Sequence, residues 1–309
     1  MNIEDFLRSP RVHLVVGKGG VGRSAVTSAL ARAAADAGLR ALVVDIEGRS
    51  TLADFFGAPI ALDYTERRLY TTHGGGVWGR TISPDDALVD WLEDHGLRSV
   101  ARRLSNTGAL DIIATGVPGV RDLLVLGKIK QLERDSAYDV IIVDAPASGH
   151  AIDFVATPYQ LHETAAMGPV RSQAAEVIEM IGDRKRFGVL IVTIPEETPV
   201  QEALDTMHAL EQRTSAHITG VVVNQSVVIS ELTRSACAVV QRHATTHTTG
   251  LAQDAGYLVA VADRQLAEID VLTTQRRIPT VHVGLTPSND LTTILESISL
   301  DLVQGIDQW

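Results

Sequence analysis

The sequence predicts an α/β chain built on a doubly wound, mostly parallel β-sheet. Three observations lead there. Predominantly apolar runs recur at residues 12–16, 41–44, 140–143, 189–193, 218–223 and 280–283. A strand buried on both faces reads as such a run, without the alternation of a half-exposed one. Segments of helical periodicity separate the runs, which is the order of βαβ units. Hydrophobic residues make up 45% of the 309-residue chain and aromatics only 4%, a composition suited to aliphatic strands under alanine-rich helices.

The elements follow in order. The run at 12–16 predicts a first buried strand. After the loop Gly17-Lys18-Gly19-Gly20-Val21-Gly22-Arg23-Ser24, an alanine-rich helix spans 25–37 and closes at Gly38. The second strand, 41–44, ends in Asp45-Ile46-Glu47-Gly48, and 51–57 forms a short helix stopping at Gly57. Residues 68–71 and 77–82 flank His73-Gly74-Gly75-Gly76, the pattern of a hairpin or two edge strands. Ser83-Pro84 starts the next helix as N-cap and first residue.

From 86 to 135 the pattern is helical, broken at Gly116-Val117-Pro118-Gly119 and resumed over 122–134. With no strand in this block, a helical subdomain inserted into the sheet is expected at about 86–135, joined by 152–185, within one domain over 1–309. The third core strand, 140–143, is closed by Asp144, and Pro146-Ala147-Ser148-Gly149-His150 reads as a flexible turn before helix resumes at about 152–181. Strands at 189–193, 218–223 and 280–283 follow. In the last segment Leu291, Ile294, Leu295 and Ile298 keep helix spacing and should pack on the sheet.

Bulk properties exclude several classes of function. Net charge is −11, so nucleic acid has no general electrostatic attraction to the chain. Cys237 is the one cysteine, which rules out a disulfide framework and a CxxC metal site within the chain. The acidic N-terminus lacks the plan of a signal peptide, and no run is long enough to span a bilayer, so a cytoplasmic protein is expected. His243 and His247 sit in a polar, threonine-rich stretch with no acidic or thiol partner nearby and read as surface loop.

The chemistry begins in the glycine-rich loop. Strand, loop and helix in succession is the context in which this spacing means phosphate binding. The glycines let backbone N–H groups turn inward around a phosphate, and the helix N-terminus adds partial positive charge. The Ser24 hydroxyl suits Mg2+, a hard cation that takes oxygen ligands. Asp144, at the end of a buried strand, is placed to accept a hydrogen bond from a water bound to the same ion or from Ser24. Asp45 ends the neighbouring run where ligands bind in open α/β sheets, and the Gly149 N–H can act as a switch on a γ-phosphate with His150 beside it. Where such loops carry lysine this chain has Arg23, a planar fork that keeps the charge with different contact geometry.

These residues carry a resemblance. GKGGVGRS, at 17–24, resembles the deviant P-loop of the ATPase group that includes MinD, ParA, the nitrogenase iron protein and ArsA. YDVIIVDAPASGH, at 138–150, is similar to a segment of the ArsA and tail-anchored-protein-targeting ATPases, as are the Pro195-Glu196 turn and Val221-Val222-Val223-Asn224-Gln225. Glu47-Gly48-Arg49 and Gly127-Lys128-Ile129-Lys130 resemble actinobacterial ArsA-like ATPases, some of which are paired, non-identical subunits. The resemblance covers about 11–225 and implies a P-loop ATPase using ATP and Mg2+.

It further implies a homodimer or heterodimer in which Lys18 reaches the partner's nucleotide, acting on an unknown protein or small-molecule client. Asn224 would read adenine, and Ala25 and Pro287 join the nucleotide-binding set. Glu47 would orient the attacking water, although the family has aspartate there. With Arg23 and Glu47 both altered, a hydrolysis-deficient regulatory subunit is the alternative, and a synthetase of the dethiobiotin type is a third reading.

The departures also count. There is no interfacial CxxC zinc site and no set of thiolates for arsenite, and four methionines do not make a Met-rich client groove. Leu123, Leu124, Leu126 and Ile129 are expected as packing core. The stretch 278–309 has no Lys or Arg, unlike a basic membrane-binding helix.

Overall fold

The computed structural model describes residues 2–46, 51–58, 60–94, 96, 119–146, 148–165, 167–227, 229–245 and 247–309. Glu47 and the expected break at 116–118 lie outside the described residues.

In chain order the elements are α1 (Ile3–Arg8), β1 (Val12–Gly17), α2 (Arg23–Asp36), β2 (Arg40–Asp45), α3 (Leu52–Phe55), β3 (Arg67–Thr71), β4 (Gly76–Thr81) and α4 (Pro84–Asp94). Then come α5 (Val120–Asp135), β5 (Val140–Asp144), α6 (Ser148–Thr164), α7 (Pro169–Gly182), β6 (Phe187–Thr193) and α8 (Glu197–Arg213). The last are β7 (Ile218–Ser226), α9 (Glu231–Arg242), α10 (Thr249–Gln275), β8 (Thr280–Gly284) and α11 (Leu291–Ile306).

Among the described residues the strands form one eight-stranded sheet in the order β3-β4-β2-β5-β1-β6-β7-β8. Every neighbouring pair is parallel except the β3–β4 hairpin, which carries an irregularity between Arg68 and Tyr70. Every residue of β1, β5 and β6 is buried, as their apolar runs lead one to expect. One face is covered by α4, α5, α6, α7, α8 and α10, the other by α1, α2, α3 and α11. The alanines of α2 let that helix lie close to the strands, and α11 packs beside it through Leu295, Ile298, Leu302 and Ile306.

In the block after β4 the described residues give the helices α4 and α5, which share the first core, and the rest of the helical pattern expected over 86–135 lies outside the described residues. Leu123, Leu124, Leu126 and Ile129 of α5 are buried in it, as expected of packing residues. A polar cavity of about 260 Å3 lies between α4, α5 and α7, and the charges there pair internally: Lys128 with Asp90, and Lys130 and Arg134 with Glu176. Helix also begins earlier than the sequence suggests. The expected turn at 146–150 gives way to α6 at Ser148, and the single helical pattern over 152–181 is broken at Gly168, with Pro169 as the first residue of α7. Proline suits a first helical position because its missing N–H would have no intrahelical acceptor there.

His13 on β1 is fully buried against Phe6, and burial lowers its pKa to about 4. The Nδ1 atom has no hydrogen-bond partner among the described residues. A histidine held neutral in the fold favours the unfolded chain once that chain can bind the proton. Its stabilising effect is complete above the unfolded pKa near 6.5 and is lost as pH falls towards 4. Urea unfolding at pH 7 and pH 5 should show a loss of about 2 kcal/mol from this group. His13→Leu should flatten that part of the profile.

Candidate functional site

The site lies at the carboxyl ends of β2, β5, β1 and β6, where the connection from β1 runs to β2 on one side and that from its neighbour β6 runs to β7 on the other. Gly17, the last residue of β1, pairs with Val192 of β6, and a Cβ on Gly17 would fall 2.5 Å from the Val192 carbonyl oxygen. Only glycine permits that approach. Lys18, Gly19 and Gly20 are exposed, Val21 is buried, and Gly22 caps α2 in the left-handed region with φ 87°. A Cβ on Gly19 or Gly20 would meet nothing within 4 Å, so the outer side of the loop is open to a ligand. Arg23, Ser24 and Ala25 form the first turn of α2, whose N–H groups lack intrahelical acceptors.

Two of these side chains converge on one carboxylate. Ser24 Oγ donates to Asp144 Oδ2 at 2.5 Å, and Arg23 Nε donates to Asp144 Oδ1 at 2.7 Å. Arg23 also donates through a terminal nitrogen to the Gly17 carbonyl at 3.2 Å. Arg23 is 14% exposed and Asp144 3%. Burial raises the Asp144 pKa; Arg23 and Ser24 oppose that shift, and the charge of Asp45 adds to it. Asp45 is buried at the end of β2 and lies opposite Asp144 in the parallel register.

Lys18 meets an acid of its own chain: its Nζ lies 2.6 Å from Glu202 Oε1 on α8. Asn224, buried at the end of β7, donates from Nδ2 to the Val21 carbonyl at 2.9 Å. Its amide therefore braces the loop in this structure. A cavity of about 320 Å3 opens alongside, lined by Pro195, Gln225, Val227, Tyr257 and Leu285 among others. Pro287 lies exposed in the loop after β8. Gly149 and His150 are exposed in the first turn of α6, where the Gly149 N–H is one of those without an intrahelical acceptor.

The structure thus brings together the loop, Arg23, Ser24, Asp45 and Asp144, with Asn224 beneath the loop. Oxygen atoms of Ser24 and the two strand-end carboxylates suit a hard cation. Sequence reasoning missed two contacts. It gave Asp144 a hydrogen bond from a magnesium-bound water or from Ser24, and the Ser24 bond is present, but it did not foresee Arg23 as the ion-pair partner. It gave Glu202 no role, since a contact spanning 184 positions has no local signature. Among the described residues no group of three or more His, Cys, Asp or Glu side chains could hold a metal ion, and no helix is long and apolar enough to cross a membrane.

Comparison with known proteins gives the family. The anion-transporting ATPase family model matches residues 10–168, just over half of the chain. ATPase BagA of Mycobacterium tuberculosis is 34% identical over 229 residues, covering 72% of this chain and 66% of that protein. The arsenical pump-driving ATPase of Escherichia coli is 25% identical over 239 residues, covering 74% of this chain and 37% of its own length. The Rv2184c protein of Mycobacterium tuberculosis is 25% identical over 257 residues, with 72% and 60% covered. The chain therefore spans just under two thirds of the mycobacterial ATPase and little more than a third of the Escherichia coli one. Its glycine-rich loop and strand-end acids lie within the matched segment, and the chain belongs to the anion-transporting ATPase family.

Proposed function

We propose that the chain binds ATP with Mg2+, works as a pair of copies or with a related ATPase, and hydrolyses the nucleotide slowly. The observation that carries this reading is the convergence of Ser24 and Arg23 on Asp144 under an open glycine-rich loop at the start of α2. Backbone N–H groups from Gly19 to Ser24 cradle the phosphates, with Ala25 continuing the turn. Ser24, and Asp144 through water, hold the cation, which would neutralise charge on the phosphate oxygens. The Ser24 hydroxyl can offer a lone pair to the cation while its hydrogen stays on Asp144.

Glu47 orients the attacking water, and Lys18 serves the nucleotide of the second copy. Asp45, Gly149 and His150 respond to the γ-phosphate. The cavity lined by Gln225 and Leu285 takes the base, with Asn224 and Pro287 next to those residues in sequence. The client is an unidentified protein or small molecule. The pump-driving role in the Escherichia coli relative's name is not carried over, because several thiolates are needed for arsenite and this chain has only Cys237.

One observation favours the second reading, a hydrolysis-deficient subunit of a heterodimer. The Arg23 guanidinium is engaged by Asp144 and by the Gly17 carbonyl, so its charge is turned back into the site. Arg23→Lys separates the two readings. Under the catalytic reading, phosphate release with ATP and Mg2+ rises at least about tenfold, since an ammonium is a compact charge that fits between β- and γ-phosphate oxygens. Unchanged binding with no phosphate release from either protein, even with a related ATPase added, would establish the regulatory subunit instead.

A further inference from the structure

We propose that Glu202 is a latch in cis on Lys18, withholding this lysine from the nucleotide of a second copy until phosphate displaces the carboxylate. The inference rests on the two-copy nucleotide site proposed above. Its starting point is the Lys18–Glu202 ion pair at 2.6 Å, formed within one chain. The sheet creates it: β6 lies beside β1, so α8, which follows β6, starts next to the glycine-rich loop. Glu202 is held on α8 by a helix whose opposite side, including Val200, Ala203 and Leu204, is in the core.

The ammonium cannot serve its own α8 and a second copy at once. Lys18 has three N–H donors, and Glu202 supplies one acceptor oxygen; a phosphate presents several, with more charge. Glu202 Oε2 is buried and has no hydrogen-bond partner among the described residues. The carboxylate therefore depends on Lys18, and this holds the lysine back while no phosphate is present. Both side chains are partly exposed, 44% for Lys18 and 37% for Glu202. Pairs of this kind shift equilibria by small factors, so the latch sets a threshold and does not block association.

The test is association of the full chain, followed by light scattering during titration with a non-hydrolysable ATP analogue and Mg2+. Glu202→Gln should reach half-association at about two- to fivefold lower analogue concentration. Glu202→Ala should shift it in the same direction, and thermal melting checks that both remain folded. Lys18→Ala should remove the association, and adding Glu202→Gln to Lys18→Ala should change nothing further. If wild type associates in a Lys18-dependent way and both Glu202 variants leave the midpoint unchanged or raise it, the latch is overturned and the two-copy site stands. If wild type fails to associate, or associates equally well without Lys18, both are overturned.

Discussion

Gly22→Ala is expected to weaken ATP binding by about 100-fold and to destabilise the fold by about 2–4 kcal/mol. The backbone at Gly22 has φ 87°, a conformation that costs a residue with a Cβ roughly 1–2 kcal/mol. The added Cβ would also lie 2.2 Å from Asn224 Nδ2. Asn224 is buried and donates to the Val21 carbonyl, so it can yield only by breaking that bond. Leaving buried polar groups unpaired costs about 1–3 kcal/mol. The loop then turns its N–H groups away from the phosphate position, and ~3 kcal/mol corresponds to roughly 100-fold in affinity. Calorimetry with a non-hydrolysable analogue measures the first effect and urea unfolding the second. Gly19→Ala is the control for the stability effect, because its Cβ would meet nothing of the protein within 4 Å. Combining Gly22→Ala with Asn224→Ala should cost less than the sum of the two, since the second change removes the clash.

Asp144→Asn is expected to lower stability by about 2–4 kcal/mol, on the order of 5–10 °C in Tm, and to abolish Mg2+-dependent nucleotide binding. The carboxylate is the acceptor for both Arg23 and Ser24. Asparagine keeps one acceptor oxygen for the two donors and carries no charge, so a largely buried guanidinium loses its counter-ion, which is the costly outcome. Removing both partners is far milder than removing one. Arg23→Gln with Asp144→Asn should recover most of the melting temperature while binding stays independent of Mg2+. A single variant that melts like wild type would show that the Arg23–Asp144 pair contributes little.

The sheet was legible from the sequence because buried strands leave mostly apolar runs, and those at 12–16, 41–44, 140–143, 189–193, 218–223 and 280–283 each fall within a strand, the last alternating as a half-exposed edge does. The hairpin at His73–Gly76 and the Ser83-Pro84 helix start were legible from local chemistry; Ser83 Oγ accepts the Asp86 N–H at 3.1 Å. Element boundaries were less so. At 146–150, proline and glycine suggest a turn, yet α6 begins at Ser148 because position alone decides which residues occupy a first helical turn. Within the site, residue types and spacing identified the loop, Ser24 and Asp144. The partners of charged side chains were not legible: Arg23 to Asp144 and Lys18 to Glu202 span 121 and 184 positions. Such pairings depend on strand order, which no local pattern encodes.

Strand β3 also limits how copies can meet. It is the antiparallel edge of an otherwise parallel sheet, short and irregular between Arg68 and Tyr70, with Arg67 and Arg68 exposed. Unpaired backbone groups on an edge strand are a template for another chain, and a broken register with exposed charged side chains, Arg67 paired to Asp63 among them, spoils that template. Two copies are thus discouraged from joining into one continuous sheet through this edge. Contact through side chains leaves the glycine-rich loops free to separate again, whereas a shared ladder of backbone hydrogen bonds would make the encounter hard to reverse.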